Sequence, residues 1–338
     1  MKNAKKHETL ILATIVIGAG LLLGLFTTSE HVRALGINYL EGTQLEIIQS
    51  ILNGQSADPW QYRVLAPFLV NIVRKLFAHF HIIHYTAASF IIFRIIQDTI
   101  ILIFFYTYCR MLKLSMSYAL IGMTILAWGM SYSHYDSDLQ FNTFFDVIFY
   151  LLAGLCILQE KFIWIIPITL LAAFNRETSG LIPFLLLTIS IFALPKGSVR
   201  KVMPIFIVAF LTYIVVFVGL RLVYGQKELY IPYGHHIGLD LLKFNLFRLA
   251  TWQNLFSTLS IFPFVAIIGY HKWTLKLRVI FWTLVPIWFV IHAFGAIMSE
   301  TRLFLVPQAM VFIPGALLSL AQQADLPNRT SAQLQHNG

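Results

Sequence analysis

Phe174-Asn175-Arg176-Glu177-Thr178 separates the apolar run Phe162 to Phe174 from the apolar run Leu181 to Leu194. An arginine and a glutamate stand there where hydrocarbon normally excludes charge. Ionisable residues in such surroundings face a partner or a cavity, not lipid. The flanking runs have the composition of membrane helices, so the motif marks one mouth of a helical bundle. Other polar motifs of the chain are expected to converge on it.

The rest of the sequence agrees with that setting. Of 338 residues 58% are hydrophobic and only 12% are charged, with a mean hydropathy of +0.75; an ordinary soluble domain has about a quarter charged. Apolar stretches of spanning length, about 17 to 25 residues, recur from end to end. These features predict an all-α polytopic membrane protein with about ten transmembrane helices. One integral membrane domain, residues 1–320, is expected to precede a short polar tail, 321–338. The net charge of +9 would suggest nucleic acid in a soluble chain; here it reads as the Lys and Arg bias of cytoplasmic loops, with no nucleic-acid partner. Cys109 and Cys156 both lie in apolar runs, which leaves neither a disulfide framework nor a CxxC knuckle.

A basic start, Met1 to His7, precedes the apolar run Leu10 to Phe26, which has no A-x-A-like cleavage site after it and reads as a first helix entered from the cytoplasm. A first outer loop, 27–85, follows. Within it Leu40, Ile47, Ile48, Ile51 and Leu52 recur at helical spacing among Glu41, Gln44, Glu46 and Gln49, which predicts an interfacial amphipathic helix over Tyr39 to Leu52. A second is predicted over Phe68 to Phe80, where Arg74 and Lys75 interrupt too early for a span. Further helices are predicted near 86–108, 116–130, 141–158, 162–174, 181–194 and 204–223, with three more before the tail. Placing the N-terminus in the cytoplasm puts Arg110, Lys113, Lys161, Lys196, Arg200, Lys201, Lys272, Lys276 and Arg278 inside. Nearly all the carboxylates then fall outside.

Five constellations carry candidate chemistry. Glu41 and Asp58 of the first outer loop are candidate general bases, since partial desolvation at a cavity edge raises a carboxylate's pKa. Tyr62-Arg63 offers a planar guanidinium fork for phosphate or carboxylate. His134-Tyr135-Asp136-Ser137-Asp138 leads on to Asn142 and Asp146, and a helix starting near Asp138 would align Asp138, Asn142 and Asp146 in a stripe of spacing four. One of Asp136 and Asp138 is expected to act as a helix cap. Asn175, Arg176 and Glu177 form the fourth group, in which the adjacent charges need separate partners. Ser299-Glu300-Thr301-Arg302 repeats that chemistry near the end. Arg94 and Asp98, four apart, read as a mutually neutralising pair. The histidine pairs His81/His84 and His235/His236 have no third ligand at metal spacing.

Together, Tyr62-Arg63-Val64-Leu65-Ala66-Pro67, the aspartates after the third helix, Asn175-Arg176-Glu177-Thr178 and Glu300-Thr301-Arg302 resemble bacterial membrane glycosyltransferases of the C-type superfamily, over most of the chain to about Pro314. The resemblance implies transfer of a sugar from a polyprenyl-phosphate carrier to a lipid or glycan acceptor hydroxyl on the non-cytoplasmic face of a bacterial inner membrane. It puts the base on Glu41 or Asp58. Against the usual pattern, the paired acids directly after the first helix are replaced by Ser29-Glu30-His31, and the large soluble C-terminal domain is absent. Asp138 joins the candidate catalytic carboxylates. Substrate contacts are expected from Tyr62, Arg63, His134, Asp136, Asp146, Asn175, Arg176, Glu177, Glu300 and Arg302. A divalent cation bridging acids and phosphate is compatible with the same set. A transporter or flippase of a lipid-linked saccharide is the rival reading; it favours sites near the midplane between repeats.

Overall fold

The computed structural model describes residues 2–135 and 137–324. Asp136 and residues 325–338 of the polar tail lie outside the described residues. The fold is all-helical, as the apolar periodicity predicts, and the chain is a multi-pass membrane protein. The span count differs from expectation. Among the described residues six helices are long and apolar enough to cross a membrane, or seven if the bent pair Leu249–Leu259 and Phe262–Ile268 counts as one. The number falls short of ten because several predicted spans are too short to cross alone.

Helix α1 (Lys2–Leu35) has 34 residues, about 51 Å at 1.5 Å per residue. That exceeds a hydrocarbon core of about 30 Å, so residues read as the start of the outer loop, including Glu30 and His31, continue the helix. It lies along α5 (Tyr85–Met111) and α6 (Met116–Ser131). A Cβ at Gly24 would come within 3.2 Å of the Thr99 backbone nitrogen; glycine permits this close approach of α1 and α5. Gly36, at φ 85°, ends α1 and turns the chain into α2 (Ile37–Glu41) and α3 (Thr43–Leu52). These short helices bury Leu40, Ile48 and Ile51, and α4 (Leu65–His79) buries Ala66, Pro67 and Val70. The first predicted amphipathic helix is thus broken at Gly42 into α2 and α3, and the second is helical from Leu65, three residues before its predicted start.

The centre of the bundle is α7 (Phe141–Leu158) with the last span, Thr301–Ala321. Most of their residues are buried, whereas α10 (Ser198–Tyr224) at the periphery buries few. The last span contains a π-helical stretch, Gln308–Phe312. Insertions of this kind disturb the regular carbonyl ladder, and here buried donors supply bonds: Tyr108 Oη to Met310 O at 3.1 Å, and Trp288 Nε1 to Leu303 O at 2.7 Å just before it.

Helices α8 (Ile165–Ala173) and α9 (Leu181–Phe192) are joined by the opening motif. The apolar helical segments Phe162–Ala173 and Glu177–Phe192 reach only about 18 and 24 Å at 1.5 Å per residue. Lys161 and Lys196 flank the pair on one side, so the break falls within the bundle, inset from the far surface. Arg176 adopts extended backbone, φ −164° and ψ 150°, which interrupts the helix there.

Remaining elements close the bundle. The long loop after α10 carries α11 (Leu239–Phe247), and α12 (Leu249–Leu259) and α13 (Phe262–Ile268) form the bent pair, at 70°. Helix α14 (Leu275–Gly295) packs against α9 and α11. The ends of α1, α6, α10 and α14 and the starts of α5, α7 and the last span meet on one face of the bundle, where the polar motifs lie. Opposite them lie Arg110, Lys113, Lys161, Lys196, Arg200, Lys201, Lys272, Lys276 and Arg278, with Glu160.

Candidate functional site

Two adjoining cavities open on the polar face. The larger, about 600 Å³, lies among α3, α4 and the approach to α7, and Gln44, Ile48, Ile51, Pro67, Asp138 and Asn142 are in its wall. The smaller, about 240 Å³, is lined by Asp58, Arg63, Arg176, Glu177, Arg221, Glu300 and Arg302. Trp60, Arg63, Gln140, Tyr230 and Glu300 belong to both and form the wall between them.

The charged groups of the smaller cavity come from four parts of the chain. Asp58 is pinned by its backbone: its N–H donates to Glu228 O at 2.9 Å, and its carbonyl accepts from Tyr230 N–H at 3.0 Å. The Asp58–Pro59 peptide is cis, and a 3₁₀ turn, Trp60–Tyr62, delivers Arg63. Arg63 donates from Nε and Nη2 to Glu177 Oε2, at 3.2 and 3.0 Å. Arg221 comes from the last turn of α10 and stacks 4.3 Å from the Tyr62 ring centroid. Arg302 pairs with Glu300 through Nη2.

Arg176 is held from behind. Its Nη1 donates to Asp146 Oδ2 at 3.2 Å, and Asp146 also accepts from Asn175 Nδ2 at 2.8 Å and Thr178 Oγ1 at 3.3 Å. Arg176 is 4% and Asp146 1% exposed at the side chain, so the pair is almost wholly buried, with Arg176 bordering the smaller cavity. His292 of α14 stands 3.5 Å from Arg176 Nη2. The two charges of the opening motif have separate partners, as their adjacency required: Asp146 for Arg176 and Arg63 for Glu177.

What the cavity offers chemically follows from the donors left over. Arg176 Nε and both Arg302 Nε and Nη1 are buried without a hydrogen-bond partner. Four guanidinium groups face three carboxylates around this volume, and the fourth carboxylate, Asp146, balances Arg176 from behind the wall. Buried donors without partners cost about 1–3 kcal/mol each, and an anion relieves that cost. Burial pushes the Asp58 carboxyl above its ordinary pKa; Glu177 adds to the rise, while Arg221 and Arg63 oppose it. Burial likewise raises Glu300, against the pull of Arg302. No group of three or more His, Cys, Asp or Glu side chains placed to hold a metal ion occurs among the described residues. With its carboxylates interleaved among arginines, the donor set suits an anion better than a divalent cation.

The predicted site residues divide accordingly. Asp58, Arg63, Arg176, Glu177, Glu300 and Arg302 converge on the smaller cavity, and Asp138 lines the larger. Helix α7 starts at Phe141, so Asp138 is not on it and the spacing-four stripe is limited to Asn142 and Asp146. Asp138 Oδ1 instead accepts the Gln140 N–H at 3.3 Å in the turn ahead of the helix, while Oδ2 accepts from Gln44 Nε2; the residue at the cap position is Gln140 and no side chain caps α7 there, so Asp138 does not take the capping role expected of one of the two aspartates. Asn175 and Asp146 support Arg176 from outside the cavity walls. Glu41 lies apart, its Oε1 2.8 Å from His84 Nδ1 on an exposed edge. Tyr62 is spent on Gly225 O, at 2.9 Å, and His134 on Ser131 O, at 2.8 Å. Asp136 lies outside the described residues.

Arg94 and Asp98 act on each other electrostatically but make no direct hydrogen-bonded ion pair. The Arg94 guanidinium lies 3.5 Å from the Phe144 ring centroid and Asp98 accepts from Thr28 Oγ1, at 2.9 Å. Spacing four brings side chains near one another without dictating rotamers, and the Phe144 face captured the arginine. Arg221, Trp60, Tyr230 and His292 were not anticipated. Arg221 had a signal, as a charge in the last turn of an apolar helix; the others gave none, because they meet the site from remote segments.

Comparison with protein-family models, with curated proteins and with solved structures finds no match to this chain.

Proposed function

We propose that the protein is a membrane glycosyltransferase that moves a sugar from a polyprenyl-phosphate donor to an acceptor hydroxyl. The observation that carries this reading is the smaller cavity, where four arginines, two of them with buried nitrogens that lack a hydrogen-bond partner, and a carboxylate of raised pKa meet around 240 Å³. A lipid phosphate needs such donors, and an acceptor hydroxyl needs such a base. The adjoining 600 Å³ cavity, apolar toward α3 and α4 and carrying Gln44, Asp138 and Asn142, provides room for sugar and acceptor beside the phosphate.

In the proposed reaction Asp58 takes the proton of the acceptor hydroxyl as its oxygen attacks the anomeric carbon. The bond from that carbon to the donor phosphate breaks, and its electron pair stays on the phosphate oxygen. Arg302 and Arg176 offer free N–H groups to the charge that grows there, fixed in place before the reaction. Attack opposite the leaving phosphate inverts the anomeric configuration. Glu177 orients Arg63, and Asp146 fixes Arg176. The base is assigned to Asp58, not Glu41, because Asp58 lines the arginine cavity and Glu41 does not. The polar face is proposed to lie outside, by the excess of Lys and Arg on the opposite face, in a bacterial cytoplasmic membrane.

The test is transfer by the purified protein from polyprenyl-phosphate-linked sugars to a panel of lipid and glycan acceptors. The reading expects a released polyprenyl phosphate for each sugar transferred, lost in Asp58→Asn. Movement of intact lipid-linked saccharide across vesicles, with no donor consumption, would establish the transporter instead.

A further inference from the structure

The basic face of the bundle carries a feature that the proposed reaction does not use. A groove of about 740 Å³ runs between α9 and α14, with Phe184, Thr188, Phe192, Leu275, Trp282 and Ile287 along it. Its volume falls in the range of small-molecule sites, about 300–1,000 Å³, but its lining is nearly all hydrocarbon and aromatic. Thr188 and Thr283, hydrogen-bonded to each other at 2.8 Å, are fully engaged within it and do not ask for a polar ligand.

One end of the groove is different. Arg278 lines it together with Tyr270. Arg278 Nη2 donates to His271 O, its guanidinium carbon stands 5.3 Å from the Tyr270 ring centroid, and its Nε is buried without a hydrogen-bond partner. Trp282 Nε1 donates to Tyr270 Oη at 2.9 Å, an aromatic pair of the sort that sits at a headgroup boundary. Lys276, whose Nζ stands 3.9 Å from Glu160 Oε1, lies two residues before Arg278, and Lys196, Arg200 and Lys201 follow α9 and open α10 at the same end of the bundle. Arg278 and Gly295, which borders the arginine cavity, are 17 residues apart on α14, or about 26 Å at 1.5 Å per residue. The groove is therefore a separate place at the opposite end of the helix.

An apolar channel along two spans that ends at an arginine in a basic surface is complementary to one kind of molecule. We infer that the α9–α14 groove binds an anionic phospholipid, acyl chain along Phe184, Phe192 and Trp282 and phosphate on Arg278. A zwitterionic lipid fills the channel equally well but carries a cation toward a surface already positive. Charge thus selects the headgroup, and the channel selects a lipid over free phosphate.

Native mass spectrometry of the full chain, delipidated and titrated with phosphatidylglycerol or phosphatidylcholine of the same acyl composition, tests this. The wild type is expected to bind phosphatidylglycerol about tenfold more tightly. Arg278→Gln should bring the two lipids level by weakening the anionic one alone, and Leu275→Trp at the groove rim should weaken both. Inorganic phosphate at millimolar concentration should displace neither. Lys276→Gln is the control for surface charge in general and should keep most of the preference. Equal binding of the two lipids by wild type, a preference that survives Arg278→Gln, or an equal loss in Lys276→Gln would each overturn the site. Should Arg278→Gln fail to fold, Arg278→Lys, which keeps the charge and loses the fork, takes its place and is expected to retain part of the preference; a full wild-type preference there counts against the geometry.

Discussion

Replacing Asp146 by alanine removes the acceptor that holds the opening motif together. Asp146 takes hydrogen bonds from Arg176 Nη1, Asn175 Nδ2 and Thr178 Oγ1, and with 1% and 4% exposure at the two charged side chains water cannot replace it. Asn175 keeps a second bond, to Asn142 O at 2.8 Å, and Thr178 is a neutral loss. The main consequence is an uncompensated guanidinium in the bundle. Breaking a buried pair from one side costs about 3–5 kcal/mol, a large share of a stability of about 5–15 kcal/mol. Removing both charges, in Asp146→Ala with Arg176→Met, should cost less than Asp146→Ala alone, since no charge is stranded. Reversible unfolding in mixed detergent micelles at neutral pH measures all the variants. A loss under about 1 kcal/mol for Asp146→Ala, or a double variant less stable than the single, would refute the reasoning.

Three further outcomes are expected. Transfer should fall as pH falls, because the base works ionised. The raised pKa of Asp58 places that acid limb above the ordinary carboxylate value, and Asp58→Asn should lose about 10²–10⁴ in rate, while Glu41→Ala leaves the rate and the limb where they are. Arg302→Ala should slow transfer about 10²–10³-fold, with Arg302→Lys recovering only part because an ammonium lacks the fork; steady-state kinetics with a fixed acceptor decide this. Gly129→Ala should destabilise by about 1–3 kcal/mol in the same unfolding assay, because the new Cβ would stand 2.5 Å from Gln308 Nε2 and 2.9 Å from Thr258 O, where α6, α12 and the last span meet.

Composition and periodicity carried the helical bundle because burial in lipid demands apolar runs, and α7 begins and ends at the residues where its run does, Phe141 and Leu158. Span number was less legible. Runs such as Ile165–Ala173 are apolar enough for a membrane yet too short to cross it, and only packing shows that α8 and α9 bracket an inset break. Charges in apolar sequence were the most informative letters, because each must be solved by a partner. Arg176, Glu177 and Arg302 were found that way. Which partner solves which charge was not legible: Arg63 meets Glu177 across 114 positions and Asp146 meets Arg176 across 30. Glu41 looked equivalent to Asp58 because sequence gives no depth; it faces His84 at an exposed edge, whereas Asp58 is drawn inward by its backbone bonds to Glu228 and Tyr230.

The most direct measurement is a structure of the protein with a polyprenyl phosphate bound. The phosphate is expected in the smaller cavity, within hydrogen-bond distance of Arg302 and Arg176, with the prenyl chain leaving past the larger cavity and α3. Phosphate bound away from both arginines at saturating lipid, or the arginine cavity still vacant beside a bound lipid, would contradict it.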